Sequence, residues 1–194
     1  MMKNLDSDDP LNYNKLSTII KAAELGHARA QYDLGWAYYF GKNVVKDHTA
    51  AIKWYTLSAE QGNAGAQYSL GLMYHHGEGG LEDNMIAVKW WTLAADQGEP
   101  QAQYNLGFMY SQGLGVSKNY KTAISWYTSS AENGHSKAQY NLGTHYHSGD
   151  GVCQDYDLAF KWLSKAANQG LVNAQYNLGN HYQSGDGVPP NYKT

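Results

Sequence analysis

Apolar and polar positions along this chain repeat every 36 residues. Alanine, leucine and tyrosine recur at i, i+4 and i+8 in Ala30, Leu34 and Tyr38, a spacing that puts them on one face of a helix. A second apolar pair, alanine and tryptophan three residues apart, follows later in each repeat. Its copies are Ala51/Trp54, Ala87/Trp90, Ala123/Trp126 and Ala159/Trp162. The pattern therefore predicts two amphipathic helices per repeat, A and then B.

The hexapeptide Ala-Gln-Tyr-Asn-Leu-Gly at 102–107 marks the A helix, and only its fourth position varies among the copies. A period of this size is typical of stacked helical repeats, in which each unit contacts its neighbours in the stack. We expect an all-α solenoid. The predicted A helices cover 28–40, 64–76, 100–112, 136–148 and 172–184, and the predicted B helices cover 48–60, 83–96, 119–132 and 155–168.

Glycines punctuate each repeat in two ways. Gly35 and its equivalents stand in the middle of the A helix, where glycine costs about 1 kcal/mol relative to alanine, so we expect close helix–helix approach there. Gly62 and its equivalents end the B helices, and the A-to-B turns are glycine-rich, with Asn43 replacing one glycine. Each B helix also carries one tryptophan of the repeat, and we expect this side chain to be the main apolar anchor between successive repeats, which form the layers of the stack.

The repeat sets the expected domain boundaries. Residues 1–10 carry an acidic, pattern-free stretch and are expected to be a flexible tail, and 11–26 form a half-repeat that caps the array. The chain ends at a stretch, Asn191–Thr194, that matches the start of a B helix. The predicted repeats are 27–62, 63–98, 99–134, 135–170 and an incomplete fifth at 171–194.

Charge and cysteine content exclude several classes of protein. The net charge is −3 and Arg29 is the only arginine, so the chain lacks the basic footprint of a nucleic-acid-binding protein. Cys153 is the only cysteine, so no intramolecular disulfide framework can form. The glycine-rich turns lack the strand and the Gly-Lys-Ser/Thr ending of a phosphate-binding loop.

No signal peptide begins the given chain, and no run of 18 apolar residues would span a membrane. We therefore expect a cytoplasmic protein without membrane association, although a chain that had lost a leader would look the same.

The repeat resembles the Sel-one-like repeat (SLR) family, which is related to tetratricopeptide repeats. The resemblance extends over about 11–194 and rests on Ala102–Gly107, Tyr110, Gly113–Val116, Tyr120, Ala123, Trp126, Tyr127, Ala131 and Gly134. It implies a right-handed α/α superhelix that mediates protein–protein contact. One secreted bacterial branch carries a disulfide in each repeat and has been linked to β-lactam binding. The single cysteine and the absence of Ser-x-x-Lys and Lys-Thr-Gly argue against that activity here.

In tetratricopeptide-like arrays the A helices line the concave surface. The resemblance therefore places there three A-helix positions whose residue changes from repeat to repeat, the positions of Trp36, Tyr39 and Phe40. Each set of equivalent residues is called a variable column. These columns are apolar or aromatic in the first repeat and polar in the last. Exposed aromatic residues often mark recognition surfaces. The predicted partner-binding residues are Trp36, Tyr39, Phe40, Leu72, His75, His76, Phe108, Gln112, Thr144, His147 and Asn180. The alternative is that Trp36, Tyr39 and Phe40 pack on the first helix as part of the cap.

Other candidate sites are weaker. The recurring Tyr32, Tyr68, Tyr104, Tyr140 and Tyr176 are better explained by packing than by ligand contact. His145 with His181, and His147 with His75, lie on different helices, and a helix spacing of about 8–10 Å is wide for two ligands of one zinc ion. Cys153 and His147 could form a dyad, but no third group that would orient it is identifiable. We expect no metal, no cofactor and no enzymatic activity.

The predicted function is therefore a non-catalytic scaffold or adaptor that binds a peptide or a partner surface on the concave face. Two alternatives remain open. The first is a regulatory or structural oligomer that assembles through residues 172–194, and the second, more remote, is an enzyme such as a hydrolase.

Overall fold

The computed structural model describes residues 10–188, and these residues form α-helices joined by turns, with no β-strand among them. The helices are α1 (Pro10–Glu24), α2 (Ala28–Phe40), α3 (His48–Glu60), α4 (Ala64–His76), α5 (Asn84–Asp96), α6 (Pro100–Gln112), α7 (Tyr120–Glu132), α8 (Ser136–Ser148), α9 (Tyr156–Asn168) and α10 (Val172–Ser184). Residues 1–9 of the predicted tail and the predicted start of a B helix at 191–194 lie outside the described residues. Pro10, the last residue of the predicted tail, instead begins α1.

The chain divides between Gln97 and Gly98 into two compact units. The first unit holds α1–α5 and the second holds α6–α10, and within each unit every helix packs against the next one along the chain. The A and B helices of one repeat, such as α2 and α3, make the most extensive contacts. Consecutive packing of helix pairs confirms the predicted all-α repeat solenoid.

The predicted A helices match the structure in every bound, whereas three B helices begin one residue later than predicted. The reason is capping. Asp83, Asn119 and Asp155 stand in extended backbone at the predicted first positions, and each side chain accepts a hydrogen bond from the backbone amide three residues on. These residues therefore precede the helix as N-caps.

The turn assignments are confirmed by backbone conformation. Gly62, which follows a B helix, has φ of 89°, and Asn43 in the first A-to-B turn has φ of 60°. Both values lie in the left-handed region, which glycine adopts freely and asparagine adopts more readily than most residues.

The mid-helix glycines confirm the predicted close approach and identify what approaches. A Cβ atom added to Gly35 would lie 2.7 Å from Tyr55 Cδ1, and one added to Gly143 would lie 2.8 Å from Leu163 Cγ. Gly71 meets the Trp91 indole in the same way. Each glycine thus leaves room for a large side chain from the B helix of its own repeat, and a methyl group there would displace it.

The predicted tryptophan anchor is wrong in three repeats. Trp54, Trp90 and Trp126 are only half-buried, and the side chain that lies deepest is the next residue along. Those buried residues are Tyr55, Trp91, Tyr127 and Leu163. They stand four residues after the repeat alanine, the spacing that brings two side chains over one another on a helix, and so they face the A-helix glycine. In the fourth repeat Trp162 is buried as well.

The motif glutamine links successive layers, which explains why it recurs. Gln67 is buried, and its Nε2 donates a hydrogen bond of 3.0 Å to the Ala59 carbonyl of the preceding repeat. Its Oε1 accepts one of 2.7 Å from Gln97 Nε2 at the end of its own repeat. Gln139 makes the corresponding pair of contacts with Ala131 and Gln169.

Candidate partner-binding surface

Helix α2 brings Trp36, Tyr39 and Phe40 together as one aromatic cluster. Phe40 is in ring contact with both of the others, at centroid distances of 4.9 Å to Trp36 and 4.7 Å to Tyr39. Trp36 is 40% exposed and Phe40 is 53% exposed. Positions 36 and 40 are four apart, so they share a face of the helix. The result is a continuous, solvent-facing aromatic surface.

Tyr39 is the inner member of the aromatic cluster. Its ring stacks on His48 at 5.2 Å with an interplanar angle of 10°, and its hydroxyl hydrogen-bonds the Glu78 carboxylate. Burial, followed by the hydrogen bond and charge of Glu78, raises the pKa of Tyr39 to about 12. Tyr39 is therefore a neutral phenol near pH 7, and it is held in place by residues from two repeats.

The predicted residues on α4 differ in accessibility. Leu72 and His75 are half-buried, and His76 is exposed. His75 is engaged internally, because its Nδ1 lies 2.6 Å from Asn84 Oδ1 and its ring lies 5.5 Å from that of Trp91. His76 is in ring contact with His75 at 4.9 Å.

In the second unit, α6 presents Phe108 and Gln112 to solvent. Ser111, from the same variable column as Tyr39 and His75, is instead buried and lies 3.4 Å from the Tyr127 hydroxyl. Gln112 Nε2 donates to Ser111 Oγ over 3.2 Å. A variable position on an A helix is thus not always a surface position.

Thr144, His147 and Asn180 surround one pocket of about 110 Å³ between α8 and α10, and the other lining residues are Leu163, Asn177 and His181. The sequence prediction missed these three. Asn177 occupies the one variable position of the motif hexapeptide, which was a usable signal, whereas nothing in the spacing indicated Leu163 or His181.

The proximity of His147 and His181 corrects the expected pairing of histidines. Their ring centroids are 5.0 Å apart, and His147 also contacts the Tyr156 ring at 5.3 Å. His181 is buried, and its Nδ1 lies 2.8 Å from the Asp186 carbonyl. The 36-residue period aligns His181 with His145. In the structure, however, the histidine on α8 whose ring contacts His181 is His147. In residues 10–188 no group of three or more His, Cys, Asp or Glu side chains is arranged to hold a metal ion.

The recurring tyrosines make the packing contacts expected of them in three repeats, including Tyr140, which packs against the buried cluster around Leu163. Tyr32 and Tyr104 are in ring contact with the buried Tyr55 and Tyr127. Tyr104 also stacks on His135 at 4.7 Å, and burial raises the pKa of Tyr104. By contrast, Tyr176 on α10 is 71% exposed. Cys153 is an exposed free thiol.

Comparison with known proteins identifies the repeat. The Sel1 repeat model matches residues 28–63, 64–99, 100–135, 136–171 and 172–194, which is nearly the whole chain. The chain belongs to the Sel1 repeat family. Sel1 repeat proteins are generally protein-interaction scaffolds.

Solved structures with Sel1 repeats are similar over most of the chain. The protective antigen c5321 of uropathogenic Escherichia coli, which displays an SLR fold, is 44% identical with a TM-score of 0.87; the match covers 89% of this chain but 37% of that one. A Sel1 repeat protein from Oxalobacter formigenes is 33% identical with a TM-score of 0.83, covering 91% of this chain and 78% of that one.

More distant similarity extends to the immunity protein Pa5087 of Pseudomonas aeruginosa, at 25% identity and a TM-score of 0.52, over 82% of this chain and 59% of that one. Because the match to c5321 covers 37% of that protein, this Sel1 repeat chain spans only about a third of its length. Comparison with curated protein sequences gave no match. In the part of the chain that the structure describes, no helix combines the length and apolar character needed to cross a bilayer.

Proposed function

We propose that this Sel1 repeat protein is a non-catalytic scaffold that binds a peptide or a surface element of a partner protein on its A-helix face. The observation that carries the proposal is the aromatic cluster on α2. Trp36 and Phe40 remain 40% and 53% exposed although their rings are in contact. Two adjacent large aromatic rings are therefore exposed to water, and tryptophan is among the residue types most often found as binding hot spots.

The second unit contains a smaller candidate surface of its own. Its candidates Thr144, His147 and Asn180 line a small pocket together with the Leu163 side chain, and the accessible surface of that pocket is mostly apolar. Small concave sites with a few convergent polar groups orient a ligand, whereas exposed aromatic rings supply apolar contact area. We expect the aromatic cluster to provide most of the affinity for the partner.

The proposal can be tested in two steps. The tag-free chain is used as bait to recover a partner, whose affinity is then measured for wild type, Trp36→Ala and Phe40→Ala. Each substitution should weaken binding by about 2 kcal/mol or more if these are hot spots. Leu93→Ala, at an exposed apolar position on α5, is the matched control and should bind normally.

Unfolding by urea separates the binding explanation from the packing explanation. Loss of affinity with little loss of stability supports a binding surface. A large loss of stability with intact partner binding would instead show that the aromatic cluster is part of the cap, and would contradict the proposal.

A second candidate is self-association through residues 172–194, favoured by the open face of α10. Val172 and Tyr176 are each 71% exposed, and a Cβ atom built on Gly179 meets no described atom within 4 Å, unlike those on the four other motif glycines. Light scattering across a range of concentrations tests it. A monomer at every concentration, or an oligomer unaffected by Tyr176→Lys, would exclude this route.

A further inference from the structure

Helix α10 carries one half of an interface that is complete on the other A helices. Its hexapeptide Ala174–Gly179 is identical to Ala138–Gly143 on α8, and α8 packs against α9, the B helix of its own repeat. A Cβ atom added to Gly143 would lie 2.8 Å from Leu163 Cγ on α9, whereas one added to Gly179 meets no described atom within 4 Å. The face that receives a helix on α8 is therefore open on α10.

The polar part of this face is open as well. On α8, Gln139 is 4% exposed, and its Oε1 accepts a hydrogen bond of 2.8 Å from Gln169 Nε2 at the end of α9. On α10, Gln175 donates through Nε2 to the Ala167 carbonyl, the contact that the motif glutamine makes with the preceding repeat. Gln175 is nevertheless exposed. Its side chain is thus held as in a complete repeat, but no B-helix glutamine of the described residues covers it.

Large side chains without charge line the open face. Val172 and Tyr176 are each 71% exposed, whereas Tyr140, the equivalent of Tyr176 on α8, is half-buried against residues of α9. Helix α10 contains no Asp, Glu, Lys or Arg, and the nearest acidic residue along the chain is Asp186 in the following turn. The opposite side of α10 is fixed by packing, because Ala174 is fully buried. The open face is therefore rigidly held and largely apolar.

The B helices that are already seated define what such a face accepts. Each places an alanine, a large side chain four residues later and a small residue three residues further on, and all of these residues are buried. In α9 they are Ala159, Leu163 and Ala166. A stripe at i, i+4 and i+7 is the way in which an amphipathic helix anchors itself in an apolar groove. Because α8 and α10 share their hexapeptide, the same kind of helix fits α10.

A second copy of this chain offers a poor occupant. Helices α3, α5, α7 and α9 are seated on the A helices of their own repeats. Helix α1 aligns with a B helix and has no A helix before it in residues 10–188, but its register puts Lys15 where α9 has the fully buried Ala159. Leu25 likewise stands where α9 has the donor Gln169. Docking α1 would carry an ammonium group into an apolar site and would supply no donor for Gln175.

We propose that the open face of α10 binds an amphipathic helix of a partner protein, in which a large aliphatic or aromatic side chain follows an alanine by four residues. That side chain packs over Gly179, and a glutamine six residues after it donates to Gln175. The surface is separate from the aromatic cluster on α2, so the inference does not rest on the cluster. It gives the face considered above for self-association a different occupant.

The probe for the test is a synthetic peptide with the sequence of residues 155–170, which is α9 with its N-cap and its terminal glycine. A lactam between Asp157 and Lys161, which are exposed and four residues apart, keeps the peptide helical, and circular dichroism checks this. Fluorescence anisotropy of the labelled peptide should show saturable binding to the tag-free chain. The same peptide with Leu163→Asp is the matched control and should bind about tenfold more weakly or not at all.

Substitutions in the chain separate docking from stability. Gly179→Ala puts a methyl group where the large side chain of the partner packs, so it should weaken peptide binding by about tenfold or more. The melting temperature should stay the same or rise, because the added group meets no described atom in the free chain. Asn173→Ala is the matched control, since Asn173 is exposed and its equivalent Lys137 stays exposed in a complete repeat. It should bind the peptide normally.

The proposal is overturned if the helical peptide does not bind, or if it binds Gly179→Ala as tightly as wild type. It is also overturned if the chain alone forms an oligomer that Gly179→Ala disperses, because the face would then belong to a second copy. Trp36→Ala and Phe40→Ala should leave peptide binding unchanged. Failure of this proposal and failure of the aromatic cluster as a binding surface are therefore observed separately.

Discussion

The ring of Tyr127 covers Gly107 so closely that a methyl group added to this glycine would lie 2.5 Å from Tyr127 Cδ1. Gly107→Ala should therefore be destabilising although alanine is the better helix former. Overpacking a filled site costs typically about 1–3 kcal/mol, against a helix-propensity gain of about 1 kcal/mol. Urea unfolding of wild type and Gly107→Ala measures the net change in the free energy of unfolding.

Gly179→Ala is the matched control for this prediction, because it changes the same motif position on α10, where no described atom lies within 4 Å of the added group. It should leave stability unchanged or raise it by up to about 1 kcal/mol. Equal effects of the two substitutions would show that the close approach is not what selects glycine.

Adjacent tryptophans on α5 should differ sharply in their contribution to stability. Trp91 is buried over Gly71 and its Nε1 donates to the Tyr68 carbonyl, whereas Trp90 is half-buried. Trp91→Ala should cost about 3–5 kcal/mol, the usual range for a buried aromatic residue, and Trp90→Ala roughly half of that. Chemical denaturation of the two variants checks the order, and a larger loss for Trp90→Ala would contradict the structure.

The link between layers at Gln67 should also be measurable. Gln67→Leu keeps the size of the side chain but removes two hydrogen bonds, to the Ala59 carbonyl and from Gln97, at an expected cost of about 1–3 kcal/mol. The Ala59 carbonyl keeps the Gly62 amide as a donor. Gln97→Leu removes the hydrogen bonds from Gln97 to Gln67 Oε1 and to the Leu93 carbonyl but keeps the one from Gln67 to Ala59, and it should cost about 1 kcal/mol. Thermal unfolding of both variants tests this, and a greater effect at Gln97 would argue against the layer link.

Stability should fall at alkaline pH partly through Tyr127. Burial raises the pKa of Tyr127 to about 12 from an ordinary value of 10.0, so the folded protein holds this proton more tightly than the unfolded chain does. A raised folded pKa contributes stability that is fully present below pH 10 and is lost as the pH rises from 10 to about 12.

Tyr127→Phe keeps the ring and removes the titrating hydroxyl, so the free energy of unfolding should decline less steeply with pH over that window. The exposed Tyr176→Phe controls for loss of one hydroxyl. Identical pH slopes for Tyr127→Phe and wild type would show that the hydroxyl does not contribute.

The candidate surface was predictable only where exposure follows from local spacing. Trp36 and Phe40 share a helix face and came out exposed and in contact, as an aromatic surface requires. Ser111 stands in the same kind of variable column but is buried beside Tyr127. Its accessibility depends on how far a side chain of the next helix reaches, and that reach is not encoded in the spacing of α6.

By itself, the sequence determined the repeat, the helix bounds to within a residue and the places where glycine is needed, because hydrophobic period and capping are local properties of the chain. The tertiary structure decided which side chains meet across layers. It put Trp91 rather than Trp90 over Gly71, and it brought His147 within 5.0 Å of His181. Those choices depend on side-chain direction and on the rotation of one helix against the next, which a 36-residue period leaves open.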